Sequence, residues 1–525
     1  MEKIIAIGGK VKLGLIDCHE VSRNYTQAIF KYRDSAEESY KIFCDLTAKR
    51  TLIYGLTTQF GSQGNVIDKN LLSEEKIYKN SIKERQENLI KSFDCGLGDE
   101  VPIDMVRAAM FLRAHCLAHG CSGVNVNLID SLLLFLNNKI HPIIHRYGSI
   151  GASGDLIPLS SIAAALIGSS DYVLLSDRKE KLKDVFEKFK IKPIEIEMRD
   201  GIALINGTSF MTGIAALAMY DLNILFPQLL RALAMTLEAL CIYDSGYKPF
   251  VHQVKNHPGQ IRIAEFIKEQ WLGSSYIRSN GDSANSNKLK IDQGKFSETE
   301  NLQDYYSLRS VAQGFGPFSE NLDIATKWIE DEMNSVNDNP IVDMHSNVYH
   351  GANFMGYYIT EACDLMKNDI AQASAWIHSI LSNLYNHRKN LGLSDNLVIH
   401  ENTHHGFKSI HILSAALVVQ NRKFAHSQQN FMLPTEGDNQ DVNSLGTHAA
   451  LDFYESTKNL ERLTAILLLS ATQALEIRGV NKASNVSKKV HSIIREHSAF
   501  LEKDRSLRVD IENIVKAIKG KEFYI

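Results

Sequence analysis

Proline is scarce in this chain, at 10 of 525 residues, under half of the roughly 5% average usage. Because proline breaks helix interiors, its rarity favours long helices. The seven cysteines are odd in number and scattered with no CxxC pair, which argues against a disulfide framework and a zinc site. They suit a reducing cytoplasm. An excess of one charge is also lacking: the formal net charge of −4 gives no electrostatic basis for nucleic acid or an anionic membrane, so the expected partner is a small molecule. The apolar run Ile4 to Ile7 is too short for a signal-peptide core, and no apolar stretch is expected to approach bilayer-spanning length. What remains is an ordinary soluble composition, 44% hydrophobic and 22% charged. The length allows one elongated unit or two to three packed domains.

The apolar pattern supplies the architecture. Ile4 to Ile16 alternates around Gly8-Gly9 and predicts a small hairpin, while Glu37 to Arg50 and Ser81 to Leu97 predict helices. Between those helices, Tyr54-Gly55-Leu56-Thr57-Thr58-Gln59-Phe60-Gly61 and Ser62 to Asn65 have the glycine-rich composition of a mobile loop, a plausible lid. Helical spacing recurs in Thr208 to Tyr243, Glu361 to Leu384, His411 to Gln428 and Glu455 to Ile477. In the last of these, Leu460, Leu463, Ile466, Leu467, Ser470, Ala474 and Leu475 share one broad face, wide enough for burial among several neighbours. An all-α fold is therefore expected. Ser274 to Asn301 is polar and predicts a long functional or disordered loop. The expected segments are 1–205, 206–480 and 481–525.

One string carries unusual chemistry. Tyr147-Gly148-Ser149-Ile150-Gly151-Ala152-Ser153-Gly154-Asp155-Leu156-Ile157-Pro158-Leu159 places small residues in a tight bend and then starts a helix, with Asp155 as its expected N-cap. Attack of the Gly154 nitrogen on the Ala152 carbonyl, whose oxygen leaves as water, with loss of a second water from the Ser153 side chain, closes a five-membered ring bearing an exocyclic methylidene, a strong electrophile. Bulk at Ala152 or Gly154 would obstruct that closure. By itself the tripeptide is weak evidence, since a serine turn before a helix reads the same way.

The longer string has company. Tyr54-Gly55, Thr57-Thr58 and Phe60-Gly61, then Ala203-Leu204-Ile205-Asn206-Gly207-Thr208 and His257-Pro258-Gly259-Gln260, resemble blocks of the histidine, phenylalanine and tyrosine ammonia-lyases and related aminomutases. So do Gln303-Asp304-Tyr305-Tyr306-Ser307-Leu308-Arg309, Asn337-Asp338-Asn339-Pro340, His350-Gly351-Ala352-Asn353-Phe354-Met355-Gly356 and Asn439-Gln440-Asp441-Val442-Asn443-Ser444-Leu445-Gly446. The resemblance covers about residues 50 to 480 and looks closest to bacterial phenylalanine ammonia-lyases. It implies a long central helical bundle with a smaller mixed N-terminal region. It also implies 4-methylideneimidazole-5-one (MIO) formed from Ala152-Ser153-Gly154 with no external cofactor, and a homotetramer with shared active sites in which Tyr54, Ser153 and Phe354 come from different chains.

Elimination of an α-amino group needs an electrophile for nitrogen and a strong base at the β-carbon. The resemblance makes Tyr54 that base; its ordinary pKa near 10 requires a site that favours phenolate, as inward helix N-termini would. Arg309 suits a bidentate clamp on a carboxylate. Asn206 and Gln303 carry amides able to donate to the MIO oxygen or the substrate, as the resemblance implies. Tyr306 resembles a second catalytic tyrosine, Asn353 a carboxylate or cofactor contact, and Phe354 the aromatic beside the ring. Gly61 in the tyrosine loop is an expected substrate contact. Histidine enzymes carry glutamate at Gln440 and histidine at Phe93, so this chain points away from histidine. Glu436 matches the arylalanine enzymes and suits the substrate amine.

Ser92 and Phe93 depart from both the Phe-Leu and His-Leu pairs of those enzymes: Ser92 can bond a ring hydroxyl and Phe93 extends an apolar wall. Gln59 replaces a common glycine. Phenylalanine is the favoured substrate, with tyrosine open. An aminomutase shares all these residues, and an inactive scaffold on the same fold requires loss of the Ser153 chemistry. No GSSxMPxKxN-like loop of the fumarase class occurs. The pairs His115 and His119, and His141 and His145, lack a third metal ligand and read as packed histidines.

Overall fold

A computed structural model describes residues 3–279 and 303–525. Most of the polar stretch Ser274 to Asn301 lies outside these described residues. The chain forms two compact units, each assembled from separate stretches of sequence rather than from consecutive segments. The first comprises Met1–Tyr220, Ala325–Asp364 and Ser427–Tyr454, and the second comprises Asp221–Ile324, Leu365–His426 and Glu455–Ile525.

In the first unit, Ile4–Gly8 does not fold back as a hairpin. It pairs in parallel with Gln27–Tyr32, and the helix Leu15–Arg23 makes the connection. Parallel strands require such a crossover, and the pattern around Gly8-Gly9 concealed it. The helices Asp34–Ala48 and Glu75–Phe93 start and stop earlier than the apolar spacing suggests. Arg50 turns left-handed (φ 57°), and Leu97 opens the short strand Leu97–Glu100, which pairs antiparallel with His145–Tyr147. Ile103–Ala118 is buried along nearly its whole length, and its two fully buried arginines are spent on backbone carbonyls and polar side chains. Arg107 donates to the carbonyls of Val21, Ser22 and Leu136, and Arg113 to that of Ala203.

Four long helices, Ser209–Ala239, Val311–Met333, Tyr357–Leu384 and Gly446–Arg478, carry the chain from one unit to the other. The expectation about apolar length is corrected here: Ser209–Ala239 is long and apolar enough to cross a bilayer, yet 78% of its most apolar window is buried inside the protein. It is a core helix. Val311–Met333 escaped the sequence reading because Gly314, Gly316 and Pro317 look like breakers. The glycines answer to packing. A Cβ at Gly314 would lie 2.5 Å from the Trp376 ring, and one at Gly316 would lie 2.7 Å from the Gln260 nitrogen. Also in the second unit, Leu460, Leu463, Ile466, Leu467, Ser470, Ala474 and Leu475 are all fully buried, as their spacing predicts. Ser470 satisfies its hydroxyl with the Ile466 carbonyl (2.7 Å) and Tyr385 (2.5 Å).

The first unit is tied together by charge as well as by apolar packing. Arg199 and Asp338, both fully buried, form a two-pronged pair at 2.8 and 3.1 Å. The neighbouring Asn337 Oδ1 accepts from Arg113 (3.0 Å) and from the Thr208 amide (3.1 Å). Removing one member strands a buried cation, so Asp338→Ala is expected to cost about 3–5 kcal/mol, read as a lowered urea-unfolding midpoint.

Candidate active site

The bend at residues 149–155 is held from both sides by backbone. Ser444 N–H and hydroxyl both donate to the Gly151 carbonyl (3.2 and 3.1 Å), and Leu445 N–H donates to Ile150 (2.9 Å). On the other side Asp155 N–H donates to the Gly207 carbonyl at 2.7 Å. Gly154 has φ 69°, and a Cβ there would lie 2.2 Å from the Gly207 oxygen. Glycine is demanded by this approach and by its backbone angle together.

Asp155 occupies the N-cap position of the following helix as expected, but its side chain makes no capping hydrogen bond there. Its carboxylate accepts from Ser149 (2.8 Å), Thr447 (2.5 Å) and the Met211 amide (2.8 Å), which makes it an anchor between segments. Burial pushes its pKa up to about 6, against the opposing pull of those donors. A second buried carboxylate, Glu332, accepts from Thr208 at 2.5 Å and is pushed up to about 7, by burial first and with a smaller contribution from Asp155.

Ring closure as described would retain the Ser153 carbonyl as the oxygen of the MIO ring. Asn206 Nδ2 already donates to that atom at 2.9 Å. Together with the bend, this donor fits the residues present to the group the tripeptide would form.

Ala152, Ser153 and Asn206 open onto a cavity of about 450 Å³. Tyr54, Phe60, Gly61 and Phe93 line it, as do Phe354, Glu436 and Gln440. Tyr54, Ser153 and Phe354 thus meet in one chain, where the resemblance implied three. The tyrosine loop is also more firmly held than its composition suggests. Arg85 donates to the carbonyls of Leu56 and Thr58 (2.9 and 3.2 Å) and pairs with Asp68 (2.9 Å), while Gln86 Nε2 donates to Gly55 (2.8 Å).

The Tyr54 hydroxyl accepts from the Gly61 amide at 2.6 Å. The Glu436 carboxylate sits against Gly61 so closely that a Cβ there would fall 1.5 Å from its Oε1. Burial raises the Tyr54 pKa, and Glu436 adds to the rise while the Gly61 amide opposes it. Within this chain the balance favours phenol, the reverse of the expected preference for phenolate.

Phe93 and Leu89, one turn apart on Glu75–Phe93, form an apolar wall with Leu156 and Val442. Ser92 is absent from it: its hydroxyl turns back to the Leu89 carbonyl at 2.9 Å. Leu89 was missed, although its spacing of four from Phe93 marks the same helix face. His350 was also missed despite lying in a quoted string; it lines the cavity and its Nε2 accepts from the Tyr54 amide at 3.2 Å. Gln440 shares its Oε1 with the Thr435 hydroxyl at 2.8 Å. Asn353 is exposed, donates to the Val336 carbonyl at 3.1 Å, and does not line the cavity.

Gln303, Tyr306 and Arg309 belong to the second unit and do not line the cavity either. Arg309 donates to Gln303 Oε1 at 2.7 Å and lies over the Tyr306 ring, which is 75% exposed. Among the described residues no group of three or more His, Cys, Asp or Glu is arranged to hold a metal. His115 instead packs edge-on to His119 and bonds Asn334, and His141 bonds Arg107.

A largely helical chain with a glycine-framed serine bend facing a half-buried tyrosine defines the ammonia-lyase and aminomutase class. The chain belongs to the aromatic amino acid lyase family, whose model matches residues 14–496. It is 33% identical to a histidine ammonia-lyase of Clostridium tetani, covering 91% of this chain and 88% of that protein. It is 34% identical to a tyrosine 2,3-aminomutase of Chondromyces crocatus, with coverages of 89% and 87%. The crystal structure of a tyrosine aminomutase from Streptomyces globisporus superposes with a TM-score of 0.90 at 29% identity, over 99% of this chain and 98% of that one. These matches carry the family and the fold, and they are not specific to phenylalanine.

Replacing Glu436 by Gln removes the charge that helps hold Tyr54 protonated. The Tyr54 phenol is then expected to ionise at lower pH than in the wild type, read as phenolate absorbance in each protein against its own Tyr54→Phe counterpart.

Proposed function

We propose that this protein removes the amino group of an aromatic L-amino acid, with phenylalanine favoured and tyrosine open, and releases the arylacrylate and ammonia. The observation that carries the reading is the single cavity in which Tyr54 and Ser153 meet beside a wall of Phe93, Leu89 and Leu156. Apolar side chains suit an aryl ring, and they leave a ring hydroxyl to find a polar partner elsewhere or lose a few kcal/mol. By the family resemblance, Phe93 and Gln440 stand where histidine enzymes carry histidine and glutamate, which disfavours an imidazole substrate.

The ring formed from Ala152-Ser153-Gly154 would supply an electrophile for the substrate's amino group. Asn206 holds the Ser153 carbonyl, so the tripeptide keeps one orientation toward the cavity. Glu436 faces the same space and suits the substrate ammonium. Tyr54 takes the β-proton, for which it must first ionise. Since burial and Glu436 raise its pKa, the active fraction grows as pH rises. We assign Arg309, Tyr306 and Gln303 to the carboxylate end of the site, supplied by a second copy of the chain in a homotetramer. The seven cysteines form no disulfide with one another, which suits a reducing cytoplasm.

A second reading, an aminomutase that keeps the acrylate and returns the amine to the β-carbon, is favoured by the likeness to tyrosine aminomutases. Incubation with phenylalanine, tyrosine and histidine separates the two: arylacrylate plus ammonia means lyase, and a β-amino acid of unchanged mass means mutase. An intact protein mass still retaining both waters of the tripeptide would sink the MIO assignment. Tyr54→Phe is expected to lower kcat by about 10²–10⁴-fold, and wild-type kcat/KM to climb from neutral to alkaline pH.

A further inference from the structure

The backbone amides on either side of Tyr54 are satisfied from within the tyrosine loop. Ile53 N–H donates to the Thr57 hydroxyl (2.7 Å) and Gly55 N–H to that of Thr58 (3.2 Å). Tyr54 N–H instead reaches a side chain 296 positions away, donating to His350 Nε2 at 3.2 Å. That bond sets the state of the imidazole. An amide N–H can only donate, so Nε2 has to offer its lone pair, which leaves a neutral ring with its proton on Nδ1.

His350 stands on a firm base. It follows the hairpin in which Ile341–Val342 pairs antiparallel with Val348–Tyr349. The Asp343 carboxylate closes that turn, accepting from the amides of His345 and Asn347 and from the Tyr349 hydroxyl, each at 2.9 Å. Val342 and Val348 pack in one apolar cluster with Ile53 and Leu56, which lie on either side of Tyr54. Immediately after His350, Gly351 N–H donates to Asn339 Oδ1 at 2.7 Å. Arg85 and Gln86 hold the tyrosine loop by the carbonyls of Gly55, Leu56 and Thr58, all beyond Tyr54. His350 holds the backbone of Tyr54 itself.

We propose that His350 is a positioning residue for Tyr54: its neutral imidazole accepts from the Tyr54 amide and fixes the backbone from which the phenol meets the Gly61 amide and the cavity. This role rests on the reading of Tyr54 as the base. A base has to sit within hydrogen-bond reach of the proton it takes, and a misplacement of about 1 Å can cost about 10²-fold in rate. His350 acts through Tyr54 and needs no contact with the substrate.

The test compares the full-length protein with His350→Phe, which keeps an aromatic ring but has no acceptor, and His350→Gln, whose amide oxygen can accept. His350 is exposed, so both variants are expected to fold. Hydrogen exchange at the Tyr54 amide, followed by mass spectrometry of peptides covering residues 52–57, needs no turnover. It is expected to be about fivefold faster or more in His350→Phe and close to wild type in His350→Gln. With the amino acid that the wild type turns over, His350→Phe is expected to lower kcat about tenfold or more with KM little changed, and His350→Gln to recover most of kcat. The proposal is overturned by wild-type exchange in His350→Phe, by faster exchange with kcat unchanged, or by a His350→Gln as impaired as His350→Phe. A wild type that turns over none of phenylalanine, tyrosine and histidine counts against Tyr54 as their base, and the exchange rates then decide the His350 contact by themselves.

Discussion

The Asp155 amide reaches the Gly207 carbonyl at 2.7 Å because neither Gly154 nor Gly207 carries a side chain. A Cβ on Gly154 would strike Gly207, and one on Gly207 would lie 2.0 Å from Arg113 Nη1 and 2.5 Å from Asn337 Oδ1. This close passage of two backbones brings Asn206 onto the Ser153 carbonyl and starts the helix Ser209–Ala239 beside the bend. Behind it, Arg113 and Asn337 hold the Gly207 side, while Asp155 ties Ser149, Met211 and Thr447 to the bend side. The tripeptide's shape is a property of the whole first unit.

Such a frame has an electrostatic cost. Asp155 and Glu332 are both buried with raised pKa values, so ionising them is unfavourable in the folded state. A carboxyl whose folded pKa lies above its unfolded value contributes stability below the unfolded pKa and loses it as pH rises through the folded one, here near 6 and 7. Tyr54 is drawn in the same direction, since burial and Glu436 both favour its neutral form. Elimination at the β-carbon would need the opposite charge state.

Much of the fold was legible in the sequence where periodicity was long. The buried face of Gly446–Arg478 was read residue by residue, since one face of a long helix repeats many times. Shorter signals misled. The parallel pairing of Ile4–Gly8 resembled a hairpin because alternation does not encode strand direction. Val311–Met333 was hidden by glycines that answer to Trp376 and Gln260, contacts far away in sequence. At the site, Ser92 and Phe93 are neighbours in the chain, but a helix turns successive side chains about 100° apart, so only one of them faces the cavity.

The sequence by itself determined which chemical groups are available: an Ala-Ser-Gly tripeptide, a tyrosine in a glycine-rich loop, and amides and an arginine in recognisable strings. These depend on residue type and local spacing, which the chain states directly. Only the tertiary structure decided that the Asp155 carboxylate ties distant segments together instead of bonding its own helix start, that Leu89 and His350 join the cavity while Ser92 and Asn353 do not, and that Tyr54 favours phenol. Those outcomes depend on which distant groups share a buried space, and burial sets both the direction a side chain takes and the charge it can hold.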